Sequence, residues 1–512
     1  MRDADARLVG PAVVVWAVTA LCLSCSPAGA MTVAVIAAVG GVVMAGLWWS
    51  GTLRWDLVGP VVICAGLAVS AATAIALRLE VSDRHPVTDV HGKTTMVITL
   101  REDPTAFGPA AAGRIRARVE IETLARRPVR RASAELTGRT EDWVGLVPGQ
   151  RLQVVVSVRP PRPATLSVAR LDAVGAPHLL GRPPPLQRAA SHIRNRLQQS
   201  ASRALAPDAS GLFPGLVLGD ESAVSEDLRE DFRAAGLLHL TAVSGANFSL
   251  VVGVVIVAVR LAGGSPRVVA VAGAVTILGF VILVRPSPSV LRAAIMGAVG
   301  LLAVLSARRA QALPALGAAV IGAVLWWPEL SREPGFVLSV VATAGLVVLA
   351  PGLRDGLRRI RVPAGVAELA AMAIAAQLVS APMIAYLTGT VSVVSVVANV
   401  AVAPVVAVIG LVGTSAAVVG AFGVDDGLPI MVSEFLIRTM APEMWWLIGC
   451  ARHLGGLRWA VFEVPDGAMG ALWVGVATVV AAVLIRFGAP HGVAVGRGAL
   501  ARCRRGLARW AP

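Results

Sequence analysis

Charge is scarce in this chain. Asp, Glu, Lys and Arg make up 15% of its 512 residues, against 56% apolar residues. So few charges cannot cover the surface of a soluble protein of this size, and a wholly soluble globular class is excluded. Acids are scarcer than bases, 31 against 46, and nearly all of the net charge of +15 comes from arginine. In an apolar chain that excess points first to cytoplasmic loops and second to a polyanionic partner. Cysteine is sparse: Cys22, Cys25, Cys64, Cys450 and Cys503. Cys22 and Cys25 form a C-x-x-C with no second pair near it, so a four-ligand zinc site is not supported. They read as small apolar packing residues, with a disulfide open if the pair lies near an outer face. The seven histidines are scattered, and no metal or cofactor is expected.

What is abundant is the long apolar run. About Pro11–Ser26, Met31–Trp49 and Leu57–Leu79 come first. Nine more follow at about Gly236–Val259, Val268–Val284, Pro288–Ala307, Ala312–Trp327, Gly335–Leu353, Ala364–Leu387, Val391–Ala421, Leu428–Cys450 and Ala468–Ile485. Most approach the roughly 20 residues needed to cross a hydrocarbon core about 30 Å thick. The first reads as a retained span, since no small-residue cleavage site stands out. Val391–Ala421 is too long for one upright span and contains Pro404, so it reads as a broken or re-entrant helix followed by a full one. Leu428–Cys450 carries Glu434, Arg438 and Glu443, and either spans or lies along the interface.

Between the two apolar blocks the chain is polar and proline-rich. Thr95–Leu100, Gly113–Glu122 and Arg151–Val158 alternate with period two, as β-strands do. Only Phe107 and Trp143 stand out there as aromatic residues. Leu186–Leu205 follows, with Leu186, Ile193, Leu197 and Leu205 among polar residues. It reads as an amphipathic helix, either at the membrane surface or as a soluble linker.

The expected class is therefore an α-helical polytopic membrane protein of about 11–12 transmembrane helices with one small external β domain. Its segments are 1–79 (helices), 80–185 (β domain), 186–235 (amphipathic helix and linker), 236–487 (second membrane block) and 488–512 (basic tail). Arginines fix an orientation. Arg2 and Arg7, Arg54, Arg260 and Arg267, Arg308 and Arg309, Arg354 to Arg361, and the tail fall on one side for about twelve crossings. The positive-inside rule makes that side cytoplasmic and the β domain external.

The most informative stretch, Gly215–Gly253, runs from a polar segment into an apolar one that carries His239, Thr241, Ser244, Asn247 and Ser249. Polar groups in a span face protein or a wet cavity, so this is either close helix packing or the lining of a hydrated path. On one helix His239 and Ser244 would lie about 140° apart, which argues against a hydrolytic dyad.

This stretch resembles the ComEC family of DNA-uptake channel proteins. The family's G-D-x-S and F-x-x-x-G-L-x-H-L-x-A-x-S-G are matched by Gly219, Asp220, Glu221 and Ser222, then Phe232, Gly236, Leu237, His239, Leu240, Ala242, Ser244 and Gly245. Pro288–Met296, with Arg292 inside it, is similar to a P-S-x-x-R-A-x-x-M helix start. Glu333, Pro334, Gly335, Phe336, Leu338 and Ser339 are similar to D-P-G-F-x-L-S. Ala376, Gln377, Pro382, Ser392, Ser395, Asn399 and Pro404 resemble A-Q-x-x-x-x-P…S-x-x-S-x-x-x-N-x-x-x-x-P. The leading helices and β domain resemble the family's N-terminal module with its OB-like fold, and Trp143–Arg151 resembles that module's turn into a strand.

The resemblance implies a channel that passes single-stranded DNA across the cytoplasmic membrane in natural transformation. Its implied path residues are Asp220, His239, Ser244, Gly245, Asn247, Arg292, Gln377, Ser392 and Asn399. Phe232, Gly236, Pro334, Gly335, Phe336, Ser339, Pro382 and Pro404 are the implied structural residues. Single-stranded DNA and membrane lipid are the implied partners, with a separate nuclease, a DNA receptor and a cytoplasmic helicase. Two departures stand out. Asn247 occupies a place where the family usually has His, and it cannot titrate near neutrality. The H-x-H-x-D-H pattern of the family's metallo-β-lactamase-like domain is not found, so no nuclease activity is expected. A transporter of another solute or envelope polymer, and a membrane assembly protein, stay open as alternatives.

Overall fold

The computed structural model describes residues 7–90, 92–107, 113–143, 145–241, 245–285, 288–305, 311–423 and 427–481. Arg2, Val144, Ser244, Arg308, Arg309 and the basic tail lie outside the described residues. In chain order the elements begin with α1 (Val9–Cys22), α2 (Pro27–Trp49) and α3 (Trp55–Asp83). Strands and one short helix follow: β1 (Gly92–Leu100), β2 (Thr105–Phe107), β3 (Arg114–Leu124), β4 (Arg127–Arg139), α4 (Thr140–Trp143), β5 (Arg151–Arg159), β6 (Arg170–Ala173) and β7 (His178–Leu179). Then come α5 (Pro185–Ala204), α6 (Pro207–Leu218), α7 (Glu226–Ala234), α8 (Gly245–Leu261), α9 (Pro266–Val284), α10 (Pro288–Leu305) and α11 (Ala312–Trp326). The chain continues through α12 (Pro334–Val348), α13 (Ala350–Arg359), α14 (Ala364–Thr388), β8 (Thr390–Ser392), α15 (Ser395–Ala421), α16 (Leu428–Thr439), α17 (Ala441–Gly455), β9 (Val461–Glu463) and α18 (Ala468–Ala481).

This is a helical membrane protein. Among the described residues, α2, α3, α9, α14 and α15 are long and apolar enough to cross a membrane, and α12 with α13 qualifies as a pair bent by 44°. Five shorter apolar helices, α1, α8, α10, α11 and α18, coincide with the other expected runs except Leu428–Cys450. Ser-Pro pairs start two of the helices. Ser26 accepts a hydrogen bond from Gly29 N at 3.2 Å and Ser265 from Val268 N at 3.5 Å, each followed by a proline at N1.

The chain forms two compact units. The first holds Met1–Leu197, Phe248–Phe336 and Gly420–Phe422. Its β domain is a closed barrel in the order β1-β3-β4-β6-β5, with β5 returning to β1, while β2 and β7 are appended. All pairings are antiparallel except β4 with β6. This is an OB-like barrel. Alternation builds it. Ile115, Ala117, Val119 and Ile121 of β3 point into the core, while Arg114, Arg116, Arg118, Glu120 and Glu122 point outward. Trp143 is fully buried in that core, which takes it out of any stacking role. Phe107 is half-buried, with Arg116 and Arg114 over its ring at 4.7 and 5.8 Å.

The barrel rests on the C-terminal ends of α1, α3 and α9. Helix α3 has 29 residues, about 44 Å, so it outruns the hydrocarbon thickness. Ser82 near its end donates to Leu166 O at 3.2 Å, and His85 just beyond it bonds Arg130 O at 2.7 Å. Cys22 and Leu23 pack with Ala164 and Leu166. Glu329, in a short 3-10 turn after α11, accepts from Leu166 N at 3.0 Å and pairs with Arg118 at 3.2 Å. Arg54, Arg260 and Arg267 occupy the opposite ends of α3, α8 and α9.

Helix α5 is amphipathic as expected. Ala190, Arg194 and Leu197 form its buried stripe, and Arg194 donates to Leu283 O at the end of α9, 3.4 Å away.

The second unit holds Gln198–Asn247, Val337–Val419 and Gly423–Pro512. Three expectations change along the chain. The helix expected from Gly236 begins at Gly245, because Gly236 adopts φ +71 and Leu238–Leu240 form a 3-10 turn. His239 and Thr241 therefore precede the helix, and the expected angle between His239 and Ser244 does not apply. Val391–Ala421 is not broken at Pro404. Pro404 sits inside the single helix α15, while Thr390–Ser392 pairs with β9. A proline removes one backbone donor, which a packed membrane helix tolerates. Leu428–Cys450 is two helices parted at Met440, with Pro442 in the first turn of the second.

Candidate functional site

The site is built in the second unit. Helix α6 ends at Gly219 in the left-handed conformation, with Gly219 N bonded to Gly215 O at 2.8 Å. The next residue, Asp220, closes a local turn. Its Oδ1 accepts from Ser222 Oγ at 2.6 Å and Ser222 N at 3.3 Å. Glu221 reaches further. Its Oε1 accepts from Thr241 Oγ1 at 2.8 Å, and Thr241 is 2% exposed. That bond ties the G-D-E-S turn to the segment leading into α8.

Helix α7 starts at Ser225, which accepts from Leu228 N at 3.4 Å, and buries Leu228 and Phe232. The chain then turns sharply, with Leu237 N bonded to Phe232 O at 2.7 Å. Gly236 makes the turn possible twice over. Its φ of +71 suits glycine, and an added Cβ would lie 2.5 Å from Ser395 Cβ. The S-x-x-S-x-x-x-N run thus forms the surface on which the turn rests. Ser392 Oγ donates to Ala234 O at 2.7 Å, across 158 residues of sequence. Asn399 Nδ2 donates to Ser395 O at 2.8 Å and, more weakly, to Gly236 O at 3.5 Å. Gln377 Nε2 donates to Ser392 O at 3.2 Å. β8 and β9 pair beside it, with Val393 N bonded to Ala460 O at 2.9 Å.

Asp220, Gln377, Ser392 and Asn399 therefore spend polar atoms on turns and backbone ties. Gln377, Ser392 and Asn399 make a polar junction between the end of α7, α14 and α15. His239 sits on the 3-10 turn and is exposed. Of the remaining path candidates, Ser244 lies outside the described residues. Gly245 opens α8, and the side chain of Asn247 is outside the described residues as well. Pro382 and Pro404 lie inside α14 and α15. Glu221 is the residue that the sequence reading passed over. It fills the variable place of G-D-x-S, so the pattern itself hid it.

The other candidates belong to the first unit, except Ser339, which falls in the second. Phe336 is fully buried, its ring 5.5 Å from Trp16 of α1, and Trp16 Nε1 donates to Ser331 O at 2.7 Å. Pro334 and Gly335 open α12 beside it, and Ser339 lies one turn on. Arg292 lies one turn inside α10, half-buried, with Nη1 3.9 Å from Met296 Sδ. Among the described residues no three His, Cys, Asp or Glu side chains are grouped to hold a metal ion.

A family model described as Competence protein matches residues 216–488, just over half of the chain. ComE operon protein 3 of Bacillus subtilis (strain 168) is 27% identical over 195 residues. That alignment covers 38% of this chain and 24% of the relative, so the chain spans about a quarter of that protein's length. No solved structure matches the chain.

Proposed function

The chain belongs to the Competence protein family, and we propose that it acts in DNA uptake, as a channel passing single-stranded DNA across the cytoplasmic membrane. One observation carries this reading: two of the family-like motifs are assembled into one junction. Gly236 of one motif is seated on Ser395 and Asn399 of another, 163 residues away in sequence for the Asn399 bond. A chance run of matching residues would have no reason to converge. In this reading the junction holds the 236–241 turn at the mouth of α8, where exposed His239 and the residues up to Asn247 meet the substrate. Arg292, inside a span, offers a guanidinium fork to passing phosphates.

The segments 1–79, 80–185, 186–235, 236–487 and 488–512 serve, in this reading, as anchor, external OB-like domain, interfacial linker, path and cytoplasmic tail. The membrane is the inner one, with cytoplasmic termini. Two facts support the orientation: the barrel sits at the helix ends away from Arg54, Arg260 and Arg267, and positive loops stay inside. A separate nuclease, a DNA receptor and a cytoplasmic helicase would supply strand degradation, capture and pulling. The test is transformation frequency together with uptake of labelled DNA in a deletion strain. Loss of both, restored by the wild-type chain, is expected. Unchanged uptake would remove DNA as the substrate.

A further inference from the structure

Helix α13 reads A-P-G-L-R-D-G-L-R-R and is followed by Ile360 and Arg361. Leu353 and Leu357, one turn apart, pack on Ala371 and Ala375 of α14. Between the two helices lies an open groove of about 200 Å³. Leu346, Ala350, Ala371 and Met372 give it apolar walls, and Arg354 and Glu368 are its ionisable lining residues. Arg358 lies one turn on from Arg354, on the same face.

The charges there do not balance. Asp355 takes Arg354, at 3.1 and 3.2 Å. Glu368 adds one more acid. Arg358, Arg359 and Arg361 are exposed, and among the described residues none has a carboxylate within 4 Å. Two acids therefore face four guanidiniums. The helix is bent by 44° from α12, and α14 behind the groove is long and apolar enough to span.

We infer that α13 and this groove hold an anionic phospholipid. The phosphate takes Arg354 and Arg358, with Arg359 and Arg361 adding field, and an acyl chain lies over Leu346, Ala350 and Met372. An apolar groove beside a spanning helix selects a lipid over a soluble phosphate. The surplus of guanidinium selects an anionic headgroup over one that carries its own ammonium.

The test titrates the purified full chain in neutral detergent with phosphatidylglycerol, phosphatidylcholine or inorganic phosphate, following its thermal midpoint. Phosphatidylglycerol should stabilise the wild type at much lower concentration than phosphatidylcholine, and inorganic phosphate should do little. The Arg358→Gln/Arg359→Gln variant should need about 25-fold more phosphatidylglycerol, at about fivefold per arginine near an anionic headgroup. Met372→Trp, which fills the groove, should weaken the response to the acyl lipid. Arg127→Gln/Arg130→Gln, on the barrel, should leave it unchanged. Equal response to the two lipids overturns the proposal, as does full response to inorganic phosphate or an unaltered double glutamine variant. If that variant does not fold, Arg358→Lys/Arg359→Lys keeps the charge and should keep the preference. Its loss there, with the protein folded, also overturns the proposal.

Discussion

Arg285, the residue that ends α9, forms an ion pair with Asp103 in the β1–β2 turn of the barrel. Its Nη2 also donates to Ser191 Oγ of α5 at 3.4 Å, so one side chain joins α9, the amphipathic helix and the barrel. Arg285 holds φ +73, a conformation that costs a non-glycine residue on the order of 1–3 kcal/mol and persists only where its contacts fix it.

Asp103→Ala should therefore loosen the barrel from the helices. The Arg285 side chain is 16% exposed and Asp103 27%, between an exposed pair and a buried one. A loss on the order of 2 kcal/mol is expected. Hydrogen exchange should rise in peptides covering 101–107 and 185–197 and not in α14. The swap Asp103→Arg/Arg285→Asp should restore part of the protection. Unchanged exchange in Asp103→Ala would show that the pair carries no load.

The Gly236 turn gives a second test. Gly236→Ala should lower the thermal midpoint and the yield of folded protein, at about 1–2 kcal/mol from the backbone conformation alone, with the contact at Ser395 added. Ser395→Gly removes the clash but not the backbone strain, so the double variant should recover only part of the loss. Additive losses in the double variant would mean that the two residues do not press on each other.

These two cases mark what the sequence could reveal. Apolar length was legible, because spanning length is local. The strands β1, β3 and β5 were legible from alternation. Strand β4 was not. It follows a two-residue turn in which Ala125 and Arg126 have φ +46 and +67, with neither the glycine nor the asparagine that usually signals such a hairpin. At the site, motif residues were legible but their work was not. Ser392 and Asn399 looked like polar groups for a wet path, whereas their bonds to Ala234 and Gly236 depend on a fold that brings the end of α7 against β8 and α15. The Glu221–Thr241 bond depends equally on the tertiary fold.

The barrel should respond to acid through Glu122. Burial alone would push its carboxyl up. Hydrogen bonds from Thr99 at 2.8 Å and Arg151 at 2.9 Å, with the charges of Arg151 and Arg131, outweigh that and hold it below the ordinary 4.5. A folded pKa below the unfolded one adds stability above the unfolded value and loses it as pH falls through the folded value. Exchange in peptides covering 114–124 should rise as pH drops below about 4.5, once corrected for intrinsic rates. Glu122→Gln should flatten that dependence, at a cost visible at neutral pH. An unchanged pH profile in Glu122→Gln would assign the acid response to other carboxylates.

Orientation is tested by reporters. A reporter active only in the cytoplasm, fused near Pro160 in the barrel, should be silent, and one fused in the Arg260–Arg267 turn should be active. Activity at Pro160 would overturn the external barrel and with it the assignment of the basic tail.

Arg292 decides most about the path. It lies about one turn inside α10, in P-S-V-L-R-A-A-I-M, where a guanidinium can snorkel, brace a neighbour or meet substrate. Snorkelling suits a position so near a helix end and predicts that charge alone matters little. A structural tie to a neighbouring acid predicts loss of the protein when Arg292 changes. The path reading predicts a protein that is inserted and abundant but inactive. Arg292→Gln should keep membrane abundance and abolish DNA uptake. Arg292→Lys should retain part of it, since an ammonium supplies the charge but not the fork that grips two phosphate oxygens. Abundance and transformation frequency are measured on the same cultures. Normal uptake in Arg292→Gln removes the path reading, and loss of the protein favours the tie. Equal activity of the lysine and arginine forms would leave charge, not geometry, as the property the passing strand requires.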